Sequence, residues 1–133
     1  MRIEVRTQSR EEMVDITRDV AGAVAASGAA SGYALVYCPH TTAGLTINEC
    51  ADPDVCADIL AGLGRLLPRE GRWRHAEGNA DAHIKASLMG ASVRVPVRRG
   101  ALALGTWQGI FFCEFDGPRQ RSVDVTVTLS DDS

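Results

Sequence analysis

The three histidines of this chain fall in two short polar runs. His40 opens the run HTTAGLTINE, whereas His75 and His83 enclose the run HAEGNADAH. Neutral imidazole is a common ligand of zinc, and carboxylates such as those of Glu49 or Asp81 complete many zinc sites. The clustering therefore predicts one divalent-metal site, for zinc or magnesium, with His40, His75 and His83 as ligands.

The spacing of these residues matches no standard metal motif, so a second interpretation stands beside the first. If Asn79 begins a helix, His83 lies one turn later on the same side as Ser87, and Asp81 points away toward Lys85. Each histidine could then be an ordinary hydrogen-bonded residue of the surface or the core. Their shared confinement to two runs is what favours a common site.

Hydroxyl, amide and guanidinium groups near the same runs predict a site for a phosphorylated ligand. Thr41 and Thr42 carry hydroxyls, and a helix that begins at Asn79 would offer free backbone N–H groups to an anion. Arginine binds phosphate through two parallel hydrogen bonds. Six arginines lie in two groups: Arg65, Arg69, Arg72 and Arg74, then Arg119 and Arg121. For most of them the alternative is a solvated face or surface ion pairs.

Glu114 is an acidic residue inside the apolar run IFFCEF, which extends from Ile110 to Phe115. Strand alternation places its side chain on the same side as those of Ile110 and Phe112. A carboxylate in such surroundings needs a partner or a raised pKa. Glu114 is therefore either an acid of the site or the partner of an arginine, and the sequence leaves both roles open.

Composition excludes several classes of protein. The chain has 133 residues, 45% hydrophobic and 23% charged, which is ordinary for one folded domain. Its net charge of −3 argues against a protein built to hold nucleic acid, which needs a basic face. Because no apolar run has membrane-spanning length and the charged N-terminus lacks a signal core, no membrane partner is expected and the expected location is the cytoplasm. The four cysteines show no C-x-x-C spacing and are expected to be thiols, mostly buried.

A capping-box pattern predicts where the first helix begins. Ser9 and Glu12 have the S-x-x-E spacing of such a box, and apolar residues then recur at helical spacing from Met13 to Val24. Gly28 follows and is typical of a helix end. The sequence therefore predicts a helix that begins at Ser9 and ends just before Gly28.

The rest of the pattern predicts an α+β fold. Two further helices are expected, at about 53–67 and about 80–89. Strands are expected at about 2–7, 33–38, 45–49, 93–97, 101–104, 109–115 and 123–129. Strands and helices mix without strict β-α-β alternation. The predicted fold is a single-domain sandwich over residues 1–133, of mainly antiparallel β-sheet with about three helices.

Three ordered motifs resemble those of the YjbQ family, whose members are also described as secondary thiamine-phosphate synthases. The first is HTTAGLTINE with the DP dipeptide that follows it, the second is EGNADAHIK, and the third extends from GTWQG through Glu114 to Arg119 and Arg121. The resemblance implies a compact α+β fold, a homotrimer with a polar pocket between subunits, and thiamine-phosphate synthase activity. That activity joins a hydroxymethylpyrimidine diphosphate to a thiazole phosphate and releases pyrophosphate.

These observations favour an enzyme that acts on a phosphorylated small molecule. Glu49, Asp81 and Glu114 are its candidate catalytic residues, and a divalent ion would neutralise the pyrophosphate leaving group. The predicted ligand-binding set is Thr41, Thr42, Asn48, Asn79, Lys85, Ser87, Gln108 and Arg119. The alternative is a trimer that binds a metal or small ligand without turnover. A third function is a structural subunit whose polar cluster only satisfies buried groups.

Overall fold

The chain folds into two antiparallel sheets and three helices in a computed structural model that describes residues 1–130. The last three residues of the predicted domain, 131–133, lie outside the described part. In chain order the elements are β1 (Arg2–Arg6), β2 (Glu12–Asp15), α1 (Thr17–Ser27), β3 (Gly32–Tyr37), β4 (Ala43–Glu49), α2 (Pro53–Leu66), α3 (Ala80–Met89), β5 (Ser92–Arg98), β6 (Ala101–Leu102), β7 (Gln108–Glu114) and β8 (Gln120–Leu129).

The two sheets differ in size, and most strands that are neighbours in a sheet are not consecutive along the chain. The five-stranded sheet has the order β1-β8-β3-β5-β6, and the three-stranded sheet has the order β2-β7-β4. Each pair of neighbours is antiparallel. The predicted α+β sandwich of mainly antiparallel sheet is therefore confirmed.

Strand β7 supplies apolar side chains to both of its faces. Ile110 and Phe112 pack between the two sheets, against residues of the five-stranded sheet such as Val36. Phe111 and Cys113 pack on the other side, against helices α2 and α3, together with Phe115 just after the strand. The three-stranded sheet is therefore a middle layer, with the five-stranded sheet on one side and two helices on the other.

The prediction of a helix that begins at Ser9 is wrong, because the chain forms strand β2 there. This strand pairs with β7, and its residues Met13 and Val14 pack into the core on opposite sides of the middle sheet. Helix α1 begins only at Thr17, whose backbone N–H donates to Oδ1 of Asp15 at 2.9 Å. A capping box depends only on side chains a few residues apart. Here the pairing of this segment with β7 in the tertiary structure outweighs that local preference for a helix.

The other predicted helix boundaries are confirmed. Gly28 ends α1 in the left-handed conformation. Asp52 caps α2 by accepting from the N–H of Asp54 at 2.9 Å, with Pro53 at the start of the helix, and Gly90 ends α3. Within residues 1–130, no helix is both long enough and apolar enough to cross a membrane.

Gly44 sets how closely helix α3 approaches strand β4. A Cβ at this position would lie 2.8 Å from the carbonyl oxygen of Gly90 and 2.9 Å from Cβ of Met89. We expect Gly44→Ala to lower the free energy of unfolding by about 1–3 kcal/mol, because the end of α3 would have to move away from the sheet. Urea denaturation of the two proteins measures this difference.

Gly62 in helix α2 is the matched control for this prediction. A Cβ there meets no atom within 4 Å. Gly62→Ala should therefore raise stability by about 0.5–1 kcal/mol, through helix propensity alone. If Gly44→Ala were as stable as the wild type, the close approach would not constrain the helix.

Candidate functional site

A polar pocket of about 350 Å³ lies between the β3–β4 loop, the start of α3 and the turn before β8. Its walls are Pro39, His40, Thr41, Thr42, Glu77, Asn79, His83, Asp116, Arg119 and Arg121. Six of these were predicted as site residues: His40, Thr41, Thr42, Asn79, His83 and Arg119. The fold therefore brings the two polar runs and the third motif to one place, which we call the polar pocket.

Glu114 and Arg121 form an ion pair that joins the two sheets at this pocket. Their side chains are 0% and 6% exposed, and Nε and Nη2 of the arginine donate to the two carboxylate oxygens at 2.9 and 2.5 Å. Nη2 also donates to Oγ1 of Thr42 at 2.9 Å, and the hydroxyl of Thr7 donates to Oε1 of Glu114 at 2.7 Å. The sequence left two roles open for Glu114, and the structure shows one of them: Glu114 is the partner of an arginine.

The charge state of Glu114 follows from these contacts. Burial alone would raise the pKa of this carboxyl, but hydrogen bonds from Arg121, Thr7 and the backbone of Asp116 hold it below its usual range. Glu114 is therefore ionised near neutral pH and orients the Arg121 guanidinium beside the pocket. Its role as a catalytic acid or base stays a prediction.

Helix α3 begins at the polar pocket without a side-chain cap. Asn79 occupies the N-cap position, but its side chain makes no capping hydrogen bond. Instead, Nδ2 of Asn79 donates to Oδ2 of Asp116 at 2.8 Å, and Oδ1 is buried with no partner among residues 1–130. The N–H of Ala82 donates to the backbone carbonyl of Asn79 at 3.0 Å, so within residues 1–130 the N–H groups of Ala80 and Asp81 are the ones that lack an acceptor. They form the end of the helix dipole that attracts anions.

His40 is held at the pocket by a strand of the five-stranded sheet. Its Nε2 lies 3.0 Å from the carbonyl oxygen and 3.1 Å from the backbone nitrogen of Ser122 on β8. Burial and the positive charge of Arg121 lower the pKa of His40 below its usual value. The ring is therefore neutral at physiological pH, and Nδ1 is the nitrogen that remains for a ligand.

His75 and His83 contact each other rather than His40. Their ring centroids are 5.1 Å apart in an edge-to-face arrangement, and Nε2 of His75 lies 3.4 Å from Oε2 of Glu77. In the described part of the chain, no three His, Cys, Asp or Glu side chains are arranged to hold a metal ion. The three predicted ligands therefore do not fit a metal site built by one chain.

Asp81 and Lys85 lie on the buried side of α3, outside the polar pocket. Nζ of Lys85 donates to Asp81 at 2.8 Å, as the predicted helix geometry indicates, and to Glu11 at 2.6 Å. Arg10 adds a second contact to Asp81 at 3.2 Å. Burial alone would raise the pKa of Asp81, but the bonds from Lys85 and Arg10 lower it below its usual range. This network connects α3 to the segment before β2 and so positions the helix.

Four other predicted residues also lie outside the pocket. Asn48 and Glu49 end strand β4, and a rise of about 3.4 Å per residue places Glu49 roughly 20 Å from Ala43 at the pocket end. Gln108 pairs with Glu49, and its side chain accepts from a backbone N–H of its own turn. The hydroxyl of Ser87 donates to a backbone carbonyl of α3 at 2.9 Å. Their ligand-binding or catalytic roles stay predictions.

Three charged residues of the pocket, Glu77, Asp116 and Arg121, were not among the predicted site residues, and neither was Pro39. For Arg121 the sequence holds a signal, because this residue alternates with Val123 and Val125 on the inward face of β8. A buried arginine in a strand needs an anionic partner or a ligand. Glu77 and Asp116 lie beside turn glycines and show no comparable pattern.

The sequence resembles known proteins over nearly its whole length. A family model described as UPF0047 protein YjbQ-like matches residues 1–130. The UPF0047 protein YugU of Bacillus subtilis is 55% identical, over 94% of this chain and 96% of that relative. The UPF0047 protein MJ1081 of Methanocaldococcus jannaschii is 51% identical, over 93% of this chain and 90% of that relative.

Solved structures show the same fold. A protein from Clostridium acetobutylicum, described as an uncharacterized conserved protein of the YjbQ/UPF0047 family, superposes with a TM-score of 0.95 at 52% identity, covering 96% of this chain and 99% of that one. A YbjQ-like protein of unknown function from Sulfolobus solfataricus superposes with a TM-score of 0.94 at 37% identity, covering 98% and 96%. The names of these two proteins state no activity.

Proposed function

The chain belongs to the YjbQ/UPF0047 family, and on that premise we propose that it is an enzyme that acts on a phosphorylated small molecule in the polar pocket. The observation that carries the proposal is the uncapped start of α3, which lies at the same pocket as Arg119 and Arg121. Free backbone N–H groups favour phosphate oxygens, and the two guanidinium groups add positive charge beside them, although Nε and Nη2 of each already donate to Asp116 or Glu114. The hydroxyls of Thr41 and Thr42 line the same walls and add further donors.

The imidazole rings are the groups best placed to move a proton in this pocket. His40 has a lowered pKa and a free Nδ1, so it is suited to accept a proton from a bound ligand. His83 also lines this pocket, and its ring nitrogens can form hydrogen bonds with a bound ligand. Glu114 and Asp81 are tied to cations, so we assign them to holding Arg121 and α3 in place.

The resemblance to secondary thiamine-phosphate synthases favours one class of reaction. In that reaction a carbon–nitrogen bond forms between the pyrimidine and the thiazole while the carbon–oxygen bond to pyrophosphate breaks. The pocket would hold the pyrophosphate as it leaves, which the N–H groups and arginines suit. The alternative function is a binding protein that holds the same ligands without turnover, and product formation by a pure sample separates the two.

Residues 1–130 of one chain do not by themselves form a complete site for a divalent ion. One chain does not supply three converging ligands within residues 1–130. A zinc or magnesium ion would therefore need phosphate oxygens or donors of a neighbouring subunit to complete its shell. His40, His75 and His83 remain the proposed protein donors.

We expect Arg119→Ala to weaken pyrophosphate binding at least about tenfold, equivalent to about 1.4 kcal/mol. Arg119 lines the pocket and its side chain is 53% exposed. Its removal therefore takes away a positive charge that would face the ligand, and it leaves no cavity in the core. Isothermal titration of pyrophosphate, with and without magnesium or zinc, measures the affinity. Thermal melts of the free proteins check that the variant stays folded.

Arg65→Ala is the control, because Arg65 is an exposed arginine at the end of α2 and lies outside the pocket. It should change the affinity less than about twofold. Absence of pyrophosphate and phosphate binding by the wild type, with or without metal, would remove the proposed function and favour a purely structural role. Equal losses in both variants would indicate general electrostatics rather than this pocket.

We also propose that the protein is a homotrimer in which the outer face of each five-stranded sheet contacts a neighbouring subunit. Alternate residues of the central strand β3 face outward there: Tyr33, Leu35 and Tyr37, which are 45%, 36% and 49% exposed. Large apolar side chains in a row on a sheet are typical of a surface that another chain covers. The family resemblance supports three copies.

Light scattering at low micromolar concentration should report about three times the mass of one chain. Leu35→Arg should reduce this value, because it places a charge in the middle of the outward face. Leu66→Arg is the control, since Leu66 is exposed on α2 away from that sheet and should leave the assembly intact. A monomeric wild type would contradict the trimer and any site shared between subunits.

A further inference from the structure

A second pocket of about 400 Å³ adjoins the polar pocket and has a different chemistry. It is lined by Trp73, Arg74, His75, Ala80, His83 and Ile84. An indole, two imidazole rings and aliphatic groups make up most of this wall. Such a surface suits a flat apolar group rather than an anion. We call it the Trp73 pocket.

The Trp73 ring is held in position by its own loop. Its Nε1 donates to the carbonyl oxygen of Pro68 at 3.1 Å, so the polar edge of the indole is already satisfied. The ring lies so close to Gly71 that a Cβ there would be 2.5 Å from it. Nε of Arg69 donates to the carbonyl of Gly78 at 3.2 Å and closes the loop. A tryptophan ordered in this way presents ring surface to the pocket with little conformational entropy left to lose.

The two pockets share a wall, so one ligand can occupy both. His83 lines each of them. His75 of the Trp73 pocket contacts His83 edge to face, and it lies 3.4 Å from Glu77 of the polar pocket. A molecule with a phosphate at one end and a ring at the other would therefore match the chemistry of both walls.

We propose that the Trp73 pocket is a second subsite, which binds a flat aromatic group attached to the phosphate, and that Trp73 determines specificity for it. This inference rests on the proposed function, because the polar pocket must hold the phosphate. It adds to that function the residue that would contact the planar ring of such a phosphate ester, namely Trp73. Simple phosphates and flexible alkyl phosphates would leave the subsite unused.

Phenyl phosphate and inorganic phosphate are the two probes that test the subsite. By calorimetry, we expect the wild type to bind phenyl phosphate at least about tenfold more tightly than inorganic phosphate. In a Trp107→Phe background Trp73 is the remaining tryptophan. Its fluorescence should then change on addition of phenyl phosphate and stay unchanged with inorganic phosphate. This measurement leaves position 73 intact and decides the proposal even if substitutions there fail to fold.

Trp73→Ala should reduce the preference for phenyl phosphate to about twofold or less, whereas Trp107→Ala, at an exposed tryptophan outside both pockets, should preserve it. Equal affinity of the wild type for the two probes, or an unchanged Trp73 signal, would overturn the subsite and leave the proposed function standing. Failure of the wild type to bind either probe would overturn both proposals together.

Discussion

Replacing Arg121 with Met is expected to lower the free energy of unfolding by about 3–5 kcal/mol at pH 7. The substitution removes the guanidinium that neutralises Glu114, whose side chain is 0% exposed between the two sheets. Among residues 1–130, the carboxylate would keep only the hydroxyl of Thr7 and the backbone N–H of Asp116 as donors. A buried charge left without a counterion is among the largest single penalties in a folded protein.

The pH dependence of this loss has a definite sign. In the wild type the pKa of Glu114 is lowered, so its contribution to stability is present above the unfolded pKa of about 4.3 and is lost as pH falls through the lower folded value. In Arg121→Met burial should raise the pKa instead, so the variant is most destabilised at neutral pH. The deficit should shrink as pH falls and Glu114 binds a proton. Urea denaturation between pH 4 and pH 8 measures both curves.

Two further variants separate the buried pair from a general loss of charge. Arg121→Met combined with Glu114→Gln removes both charges and should recover at least about half of the lost stability. Arg119→Met breaks the more exposed pair with Asp116 and should cost less than about 1 kcal/mol. If Arg121→Met were within about 1 kcal/mol of the wild type, the inter-sheet pair would not stabilise the fold.

Lys85→Met is expected to lower the free energy of unfolding by about 3 kcal/mol, while the folded fraction keeps its affinity for pyrophosphate. Lys85 is 2% exposed and contacts Asp81 and Glu11 rather than the polar pocket. Without it, the side-chain partner that Asp81 retains among residues 1–130 is Arg10, at the longer distances of 3.2 and 3.5 Å. Chemical denaturation and calorimetric titration of the same samples measure the two effects.

Glu11→Gln is the control for this variant, because it weakens the network at its more exposed end. Asp81 would still neutralise Lys85, so the expected loss is about 1 kcal/mol or less. A Lys85→Met protein of normal stability that binds pyrophosphate at least about tenfold more weakly would contradict the structural role. That result would return Lys85 to the ligand-binding set predicted from its motif.

Local patterns in the sequence were enough to predict the fold class and several features of the site. Helix ends depend on side chains a few residues apart, so Asp52 with Pro53 and the glycines at 28 and 90 were sufficient to define them. Alternation in the C-terminal half predicted the antiparallel strands. The rarity of histidine and its placement in two runs directed attention to the loops that build the polar pocket.

Only the tertiary structure decided which residues of each motif meet. The run HTTAGLTINE lies mostly along a strand, and a strand separates the ends of a ten-residue run by more than the width of a pocket. Thr42 therefore lies at the polar pocket, whereas Asn48 and Glu49 lie at the other end of strand β4. Glu114 lies close in sequence to both Arg119 and Arg121, yet it pairs with Arg121, which points between the sheets. Spacing along a chain fixes neither choice, because charge pairing depends on which strand faces are packed together.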